Sequence, residues 1–363
     1  MQSAQKWGEP VWRVDFDCPR GPLPTRTDAA IAGAGLTGLS AAYHLRRARP
    51  DWTVTVFEAG AVGAGASGRT GGIVLDDTAA GPVPEFARCL DFAAEVVARE
   101  KIDCAWNTPR CWEIVHDRSL GKTPLDWKDQ GRALRVYRTL RGGTVDPGPL
   151  VAGLARAALA AGAAIHERCP VASLDFSRPP RLHLAGATIE AEWIVLATNG
   201  YFTQVSEIEE QGVALLTLAL ATEPLQESAL EAAGLRARLP FYTGGLPYLW
   251  GRLTGENRLV AGAGLVAAAV AGDVTSTSIH QASDAPRIFR ELERRIAGLH
   301  PALARVRFTH RWAGPIVITD DWRPVLRRHS RSPRVLVAGG YSGHGVAQSI
   351  RMGALIAGRI SRG

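Results

Sequence analysis

"TDAAIAGAGLTGLSAAYHLRRARPDWTVTVFEAG", Thr27 to Gly60, decides the fold. The short apolar run Ala29–Ala32 reads as a buried parallel strand. Gly33-x-Gly35-x-x-Gly38 follows at once, and Leu39, Ala42, Tyr43 and Leu45 continue as a helix facing a sheet. Pro50 ends that helix. "TVTVFE" is a second strand ending in Glu58. Gly33 permits a tight turn, Gly35 lets a pyrophosphate approach the backbone, and Gly38 lets helix and strand pack closely. The helix N-terminus offers unpaired N–H groups to phosphate. Glu58 is placed to hold ribose hydroxyls. Because strand, turn, helix, second strand and acidic end occur in order, the triplet reads as a dinucleotide site.

Beyond Glu58 the chain enters "GAGASGRTGG", Gly63 to Gly72, in which five of ten residues are glycine. One reading is a surface linker. The other is a backbone wall that runs beside a flat ring system and donates N–H groups to it. Apolar segments on both sides and Arg69 among the glycines favour the wall. An NAD-dependent dehydrogenase remains the rival, although its chain usually proceeds to another helix here. Near the C-terminus, "VLVAGG" reads as a buried strand and Gly343-His344-Gly345 as a turn. Val346 to Ile360 reads as a helix with Val346, Ile350, Leu355 and Ile356 inward. Such a helix can point its positive end at the N1–C2=O edge of a flavin.

Composition narrows the class. The chain has 363 residues, 46% hydrophobic, enough for a sizeable core in two domains or one large one. No stretch of about 18 uncharged apolar residues appears, so no membrane insertion is expected. The N-terminal segment lacks a secretory h-region and reads, from its Trp and Pro, as an ordered arm on the surface. Net charge is +7, but only four of the 42 basic residues are lysine (Lys6, Lys101, Lys122, Lys128) and the arginines are scattered. That is no nucleic-acid stripe. Five cysteines without CxxC spacing suggest reduced thiols, a cytoplasmic location and no metal.

"GAGLTGLSAAYHL", Glu58, "GASGRTGG", "EWIVLATNGY" and "RVLVAGGYSGHGVAQSIRMGALIAGRI" together resemble the D-amino-acid oxidase superfamily of FAD-dependent oxidoreductases. The likeness is to its glycine oxidase, sarcosine oxidase and gamma-glutamylputrescine oxidase branch, and it spans nearly the whole chain. It implies an α/β fold: a Rossmann-like FAD-binding domain (1–80, 142–210, 305–363) interleaved with an α+β substrate domain on an antiparallel sheet (81–141, 211–304). It implies noncovalent FAD, because Trp312 stands near a position where some relatives carry a flavin-linking cysteine. The implied cofactor residues around the first strand and its loop are Gly33, Gly35, Leu36, Thr37, Gly38, Glu58, Ala59, Ala66, Ser67, Gly68, Arg69, Thr70, Gly71 and Gly72. Val171, Ala197, Thr198, Asn199, Gly200 and Trp312 follow, and then Gly340, Tyr341, Ser342, Gly343, His344, Gly345 and Val346.

In the substrate half, "YTGGLPYLWGRLTGENRLVAGAG" reads as a hairpin, with Gly255 and Asn257 in its turn. Tyr248, Trp250 and Arg252 alternate onto one face. The resemblance puts that face over the flavin, with Tyr248, Trp250 and Tyr341 as pocket walls and Arg252 as a polar anchor. Each is equally readable as an ordinary half-exposed strand residue. Tyr248, Arg252 and His344 are the candidates for catalytic roles, His344 also being readable as a turn former. Two lysines of the sarcosine oxidases have no counterpart: "GHGVAQS" has Val346 and Ala347 instead, and no lysine follows Lys128. The implied reaction is removal of a hydride equivalent from a C–H next to nitrogen, delivered to flavin N5. The imine then hydrolyses, and the flavin is reoxidised by O2, giving H2O2, or by another acceptor. Alternatives are 2-hydroxy-acid oxidation, an NAD-dependent dehydrogenase, and a flavin-binding protein without turnover.

Overall fold

A computed structural model describes residues 7–201, 212–245, 248–267 and 284–362. The strand Arg26–Ala32 lies at the centre of the first sheet, parallel to Val54–Phe57 on one side and Ala187–Leu196 on the other. Ala164–His166 extends the parallel set beyond Val54–Phe57, and Ser332–Gly339 extends it beyond Ala187–Leu196. An antiparallel meander, Val171–Asp175 and Arg181–Leu184, attaches to Ala187–Leu196. The central strand is apolar on both faces because helices cover one side and the meander the other; Ala29, Ala30 and Ile31 are buried.

The helix Leu36–Ala48 buries Leu39, Ala42 and Leu45, and the last helix, Gly345–Ser361, crosses it closely. The crossing depends on Gly353, where a Cβ would sit 2.4 Å from the carbonyl carbon of Ser40. Ser40 Oγ donates to the Ile350 carbonyl at 2.7 Å across the same contact. Each fully buried Leu or Ile on these helices contributes roughly 1.5–3 kcal/mol. In the last helix Val346, Ile350 and Ile356 are buried as expected, while Leu355 is only half-buried.

The second sheet has eight strands in the order Phe308–Thr319, Gly212–Pro224, Arg258–Ala267, Trp250–Leu253, Phe241–Thr243, Cys111–Val115, Arg132–Leu140, Trp127–Asp129. Only the step from Phe241–Thr243 to Cys111–Val115 is parallel. The helix Ala285–Gly298 buries Phe289, Leu292 and Ile296 against it. Asn257, at φ 63°, turns the hairpin between Trp250–Leu253 and Arg258–Ala267. Among the described residues no helix is long and apolar enough to cross a membrane.

Two segments lie elsewhere than expected. Phe308–Thr319, assigned by sequence to the nucleotide unit 305–363, pairs along its length with Gly212–Pro224 and is an edge of the second sheet. Cys89–Arg99, assigned to the substrate unit, packs Leu90, Ala93 and Val96 into the core of the first sheet and against the last helix. The arm runs along the surface as expected, with two indoles turned inward: Trp7 is 3% and Trp12 9% exposed. Large indoles that find an apolar bed do not stay in water.

Candidate active site

A cavity of about 1520 Å³ runs between the two sheets. Small-ligand pockets are ordinarily about 300–1,000 Å³, so this one has room for a dinucleotide and a substrate together. At one end stands the turn after Arg26–Ala32. Gly33 has φ 102°, and a Cβ there would meet the Ala197 carbonyl oxygen at 2.7 Å. At Gly38 a Cβ would fall 1.9 Å from the Gly33 carbonyl oxygen, so this glycine serves helix–strand packing and stays off the cavity wall. Glu58 accepts from the Ala34 N–H at 2.8 Å and the Gly60 N–H at 2.8 Å. Burial pushes its carboxyl upward, and those N–H groups oppose the push. Ser67 Oγ accepts from the Leu36 N–H at 2.9 Å, joining the glycine-rich loop to the helix start.

The loop 63–72 is held from behind. Arg69 lines the cavity, but its Nη1 donates to Gly8 and Ala313 carbonyls at 2.7 and 3.3 Å and its Nε to Ala64 at 3.2 Å. Trp312, fully buried, donates from Nε1 to the Arg69 carbonyl at 2.9 Å. Gly68 packs on Val14, and Gly72 (φ 76°) packs on the Val145 carbonyl and Arg252. Neither lines the cavity, although both were expected at the cofactor. The loop is therefore a wall: Ala64 to Ser67 and Arg69 to Gly71 line the cavity, and Gly68 and Gly72 are turned to the packing behind it.

One register row of the second sheet roofs this space. It runs Trp312, Ala219, Gly262, Trp250, Tyr242, Glu113, Arg138, each opposite the next on the neighbouring strand. The indole of Trp250 lies between two glycines. A Cβ on Gly71 would be 2.2 Å from it, and one on Gly262 would be 2.1 Å from it. Tyr248 donates to the Gly264 carbonyl at 3.0 Å and shares a hydrogen bond with Thr217 at 2.7 Å; burial pushes its phenol up to about 12. The row ends in the ion pair of Arg138 Nε with Glu113 Oε2 at 2.6 Å.

The C-terminal turn closes the cavity. Ser342 and Gly343 take φ 47° and 93°, and His344 starts the helix Gly345–Ser361. Burial holds the His344 imidazole below its ordinary value. Its ring stands edge-on to Tyr242 at 6.3 Å. The Tyr341 hydroxyl is hydrogen-bonded to Thr37 at 2.6 Å, so its polar end faces the nucleotide turn; burial pushes its phenol up to about 12 against that bond. Gly340 lies behind the wall, its N–H donating to Asn199 Oδ1 at 3.0 Å. Ala59, Val171, Ala197, Thr198, Asn199 and Gly200 line the cavity with Val346. Thr198 Oγ1 is buried without a hydrogen-bond partner among the described residues.

Arg252 does not line the cavity. It is 3% exposed, pairs with Asp146 at 3.0 Å, donates to the Gly71 carbonyl at 2.6 Å and covers the Trp12 ring. The alternation that placed it beside Trp250 is real, but the face curves behind the loop at that point. Sequence reasoning missed Tyr242, Glu113, Arg138 and Thr217 as cavity residues. Tyr242 sits on a three-residue strand, too short for periodicity to register. Glu113 and Arg138 reach the row only through pairing between distant strands, and Thr217 lies beside it, two residues before Ala219.

A parallel sheet with a phosphate turn, a glycine-rich wall and a second sheet as roof defines a dinucleotide-dependent oxidoreductase that encloses its cofactor. The turn, the unpartnered Thr198 hydroxyl and the volume fit FAD. The FAD dependent oxidoreductase (DAO) family profile matches residues 28–359, so the chain belongs to that family and FAD is its cofactor. The chain is 26% identical to gamma-glutamylputrescine oxidoreductase of Escherichia coli K12, over 91% of this chain and 82% of that one. It is 25% identical to glycine oxidase of Geobacillus kaustophilus, over 93% of each. Among solved structures, L-proline dehydrogenase from P. horikoshii superposes with a TM-score of 0.72 at 17% identity, covering 94% of both chains.

Proposed function

We propose that the protein oxidises the C–N bond of an amine or amino acid whose reacting carbon is not gripped by a cation. One observation carries this reading: the cavity wall beside Trp250 is aromatic, and the charged pair of the roof, Glu113 with Arg138, stands farther along the row. Trp250, Tyr242 and Tyr248 form that wall, while Arg69 is tied to backbone carbonyls and Arg252 is paired elsewhere. Similarity to proteins named gamma-glutamylputrescine oxidoreductase and glycine oxidase supports a nitrogen substrate. None of the five cysteines lines the cavity, which supports noncovalent FAD.

Bound FAD supplies the two-electron acceptor for a hydride equivalent at N5 and passes the electrons to O2 or another acceptor. The chain's residues bind and orient the amine and exclude water. Tyr248 stays protonated, so it is a wall and a hydrogen-bonding group, not a base. His344 is kept neutral by burial, which makes it a weak proton acceptor, so the amine sheds its ammonium proton to water before it reacts. The neutral nitrogen's lone pair then drives loss of the neighbouring hydride, an N–H proton leaves to water, and the imine hydrolyses to a carbonyl compound.

The Glu113–Arg138 pair supports a substrate with a charged tail. It starts two strand steps from Trp250, about 10 Å at roughly 4.8 Å per step. The test is product analysis by mass spectrometry over an amine series of increasing tail length, with 2-hydroxy acids alongside. The expected result is a carbonyl product from amines. Glu113→Gln and Arg138→Met should raise KM about tenfold for a tailed amine, near 1.4 kcal/mol, and leave a short amine unchanged. Turnover of hydroxy acids with none of amines contradicts the function. Unchanged KM in both variants contradicts the tail site.

A further inference from the structure

We infer that the N-terminal arm, residues 7–18, is a working part of the cofactor site and that Trp12 is a positioning residue for the loop 63–72. The arm precedes the nucleotide turn in sequence and contributes nothing to the first sheet. Instead it lies behind the glycine-rich wall and touches it at four places. Trp12 Nε1 donates to the Gly68 carbonyl at 2.9 Å. The Gly8 carbonyl accepts from Arg69, whose guanidinium also lies 5.5 Å over the Trp7 ring. Val14 fills the space that side chains at Gly63 and Gly68 would need, 3.3 and 3.1 Å from the Cβ positions. Trp12 also stands edge-on to Trp312 at 5.6 Å, and Gly8 bridges to Trp312 in the second sheet.

Five glycines in ten residues give the loop many conformations and make any single one entropically unfavourable. A loop that must be ordered by its ligand weakens binding by the fraction of time it is competent. The arm performs that ordering in advance, and Trp12 is its central contact because one indole meets the loop carbonyl, Trp312 and Arg252 together. The roof residue Trp312 and the loop are thereby set relative to each other before FAD arrives.

The inference rests on FAD occupying this cavity, and the experiment separates the two. Holoenzyme is stripped of flavin and FAD is titrated back into the parent, Trp12→Phe, Trp12→Ala and, as control, Trp52→Phe. Trp52 sits under Arg49 at the far end of the first helix. Trp12→Phe keeps the ring and loses the N–H. Its FAD Kd should rise about tenfold, and that of Trp12→Ala by more, with Trp52→Phe unchanged. The holo Tm should fall more than the apo Tm. Equal loss of Tm in both forms, or a Kd within about twofold of the parent in both Trp12 variants, assigns Trp12 a purely structural role and overturns the inference. If Trp12→Ala does not fold, Trp12→Phe decides alone. A parent that binds no FAD overturns the cofactor reading and this inference with it.

Discussion

Replacing Gly71 with alanine drives a methyl group into the face of Trp250. The added Cβ would lie 2.2 Å from Cζ3, 2.4 Å from Cη2 and 3.0 Å from Cε3 of the indole. Carbon atoms pack at about 3.5–4.0 Å, so the ring or the loop must yield by more than about 1 Å. The ring has no room to retreat, because the Gly262 Cα lies against its other side and leaves no space even for a Cβ. The loop is fixed from behind by Arg69 and Trp312. Overpacking of this kind costs about 1–3 kcal/mol, and the middle of that range, about 2 kcal/mol, is expected in denaturant unfolding. FAD affinity should fall too, since the displaced atoms line the cavity. A phenylalanine at 250 lacks the atoms that Cζ3 and Cη2 contribute. The double variant Gly71→Ala/Trp250→Phe should therefore recover, with a coupling of about 1–2 kcal/mol in a double-mutant cycle. Additive effects, or a Gly71→Ala protein as stable as its parent, would refute the sandwiched indole.

Arg252→Met should cost about 2–3 kcal/mol by urea unfolding. That is below the loss for a wholly buried pair, because Asp146 is a third exposed and can be rehydrated. KM for the amine should stay within about twofold, the difference between a strut and an anchor. His44, half-buried and with an inward Nε2 that has no hydrogen-bond partner among the described residues, is held neutral by desolvation with a pKa lowered to about 4. The unfolded chain takes up that proton at 6.5. Stability is therefore full above pH 6.5 and is lost as pH falls toward 4, by up to about 3 kcal/mol. His44→Leu should flatten that slope in unfolding midpoints measured from pH 7 to 4.5; an unchanged slope places the loss elsewhere.

The nucleotide turn was legible because its signals are local. Gly33, Gly35, Gly38 and Glu58 each do a job fixed by the next few residues, and the structure places the strand, helix and second strand in the predicted order. The loop 63–72 was legible as a wall, but not which glycines face inward. Gly68 and Gly72 answer to Val14 and Val145, partners far away in sequence. Arg252 was misplaced for the same reason: alternation gives a face, and sheet twist decides what that face meets. The roof row was illegible, since it joins seven strands by register. Phe308–Thr319 fell in the wrong unit because a strand's own sequence does not name the sheet it joins. The arm carried a signal that was undervalued. Two tryptophans within six residues seldom remain in water.

Anaerobic mixing of the purified holoenzyme with a panel of amines, followed in the visible flavin band, tests the central claim most directly. The account predicts that at least one amine bleaches the band in a single turnover and that air restores it, or else an added electron acceptor. A band left untouched by every amine, in protein that holds FAD at full stoichiometry, contradicts it.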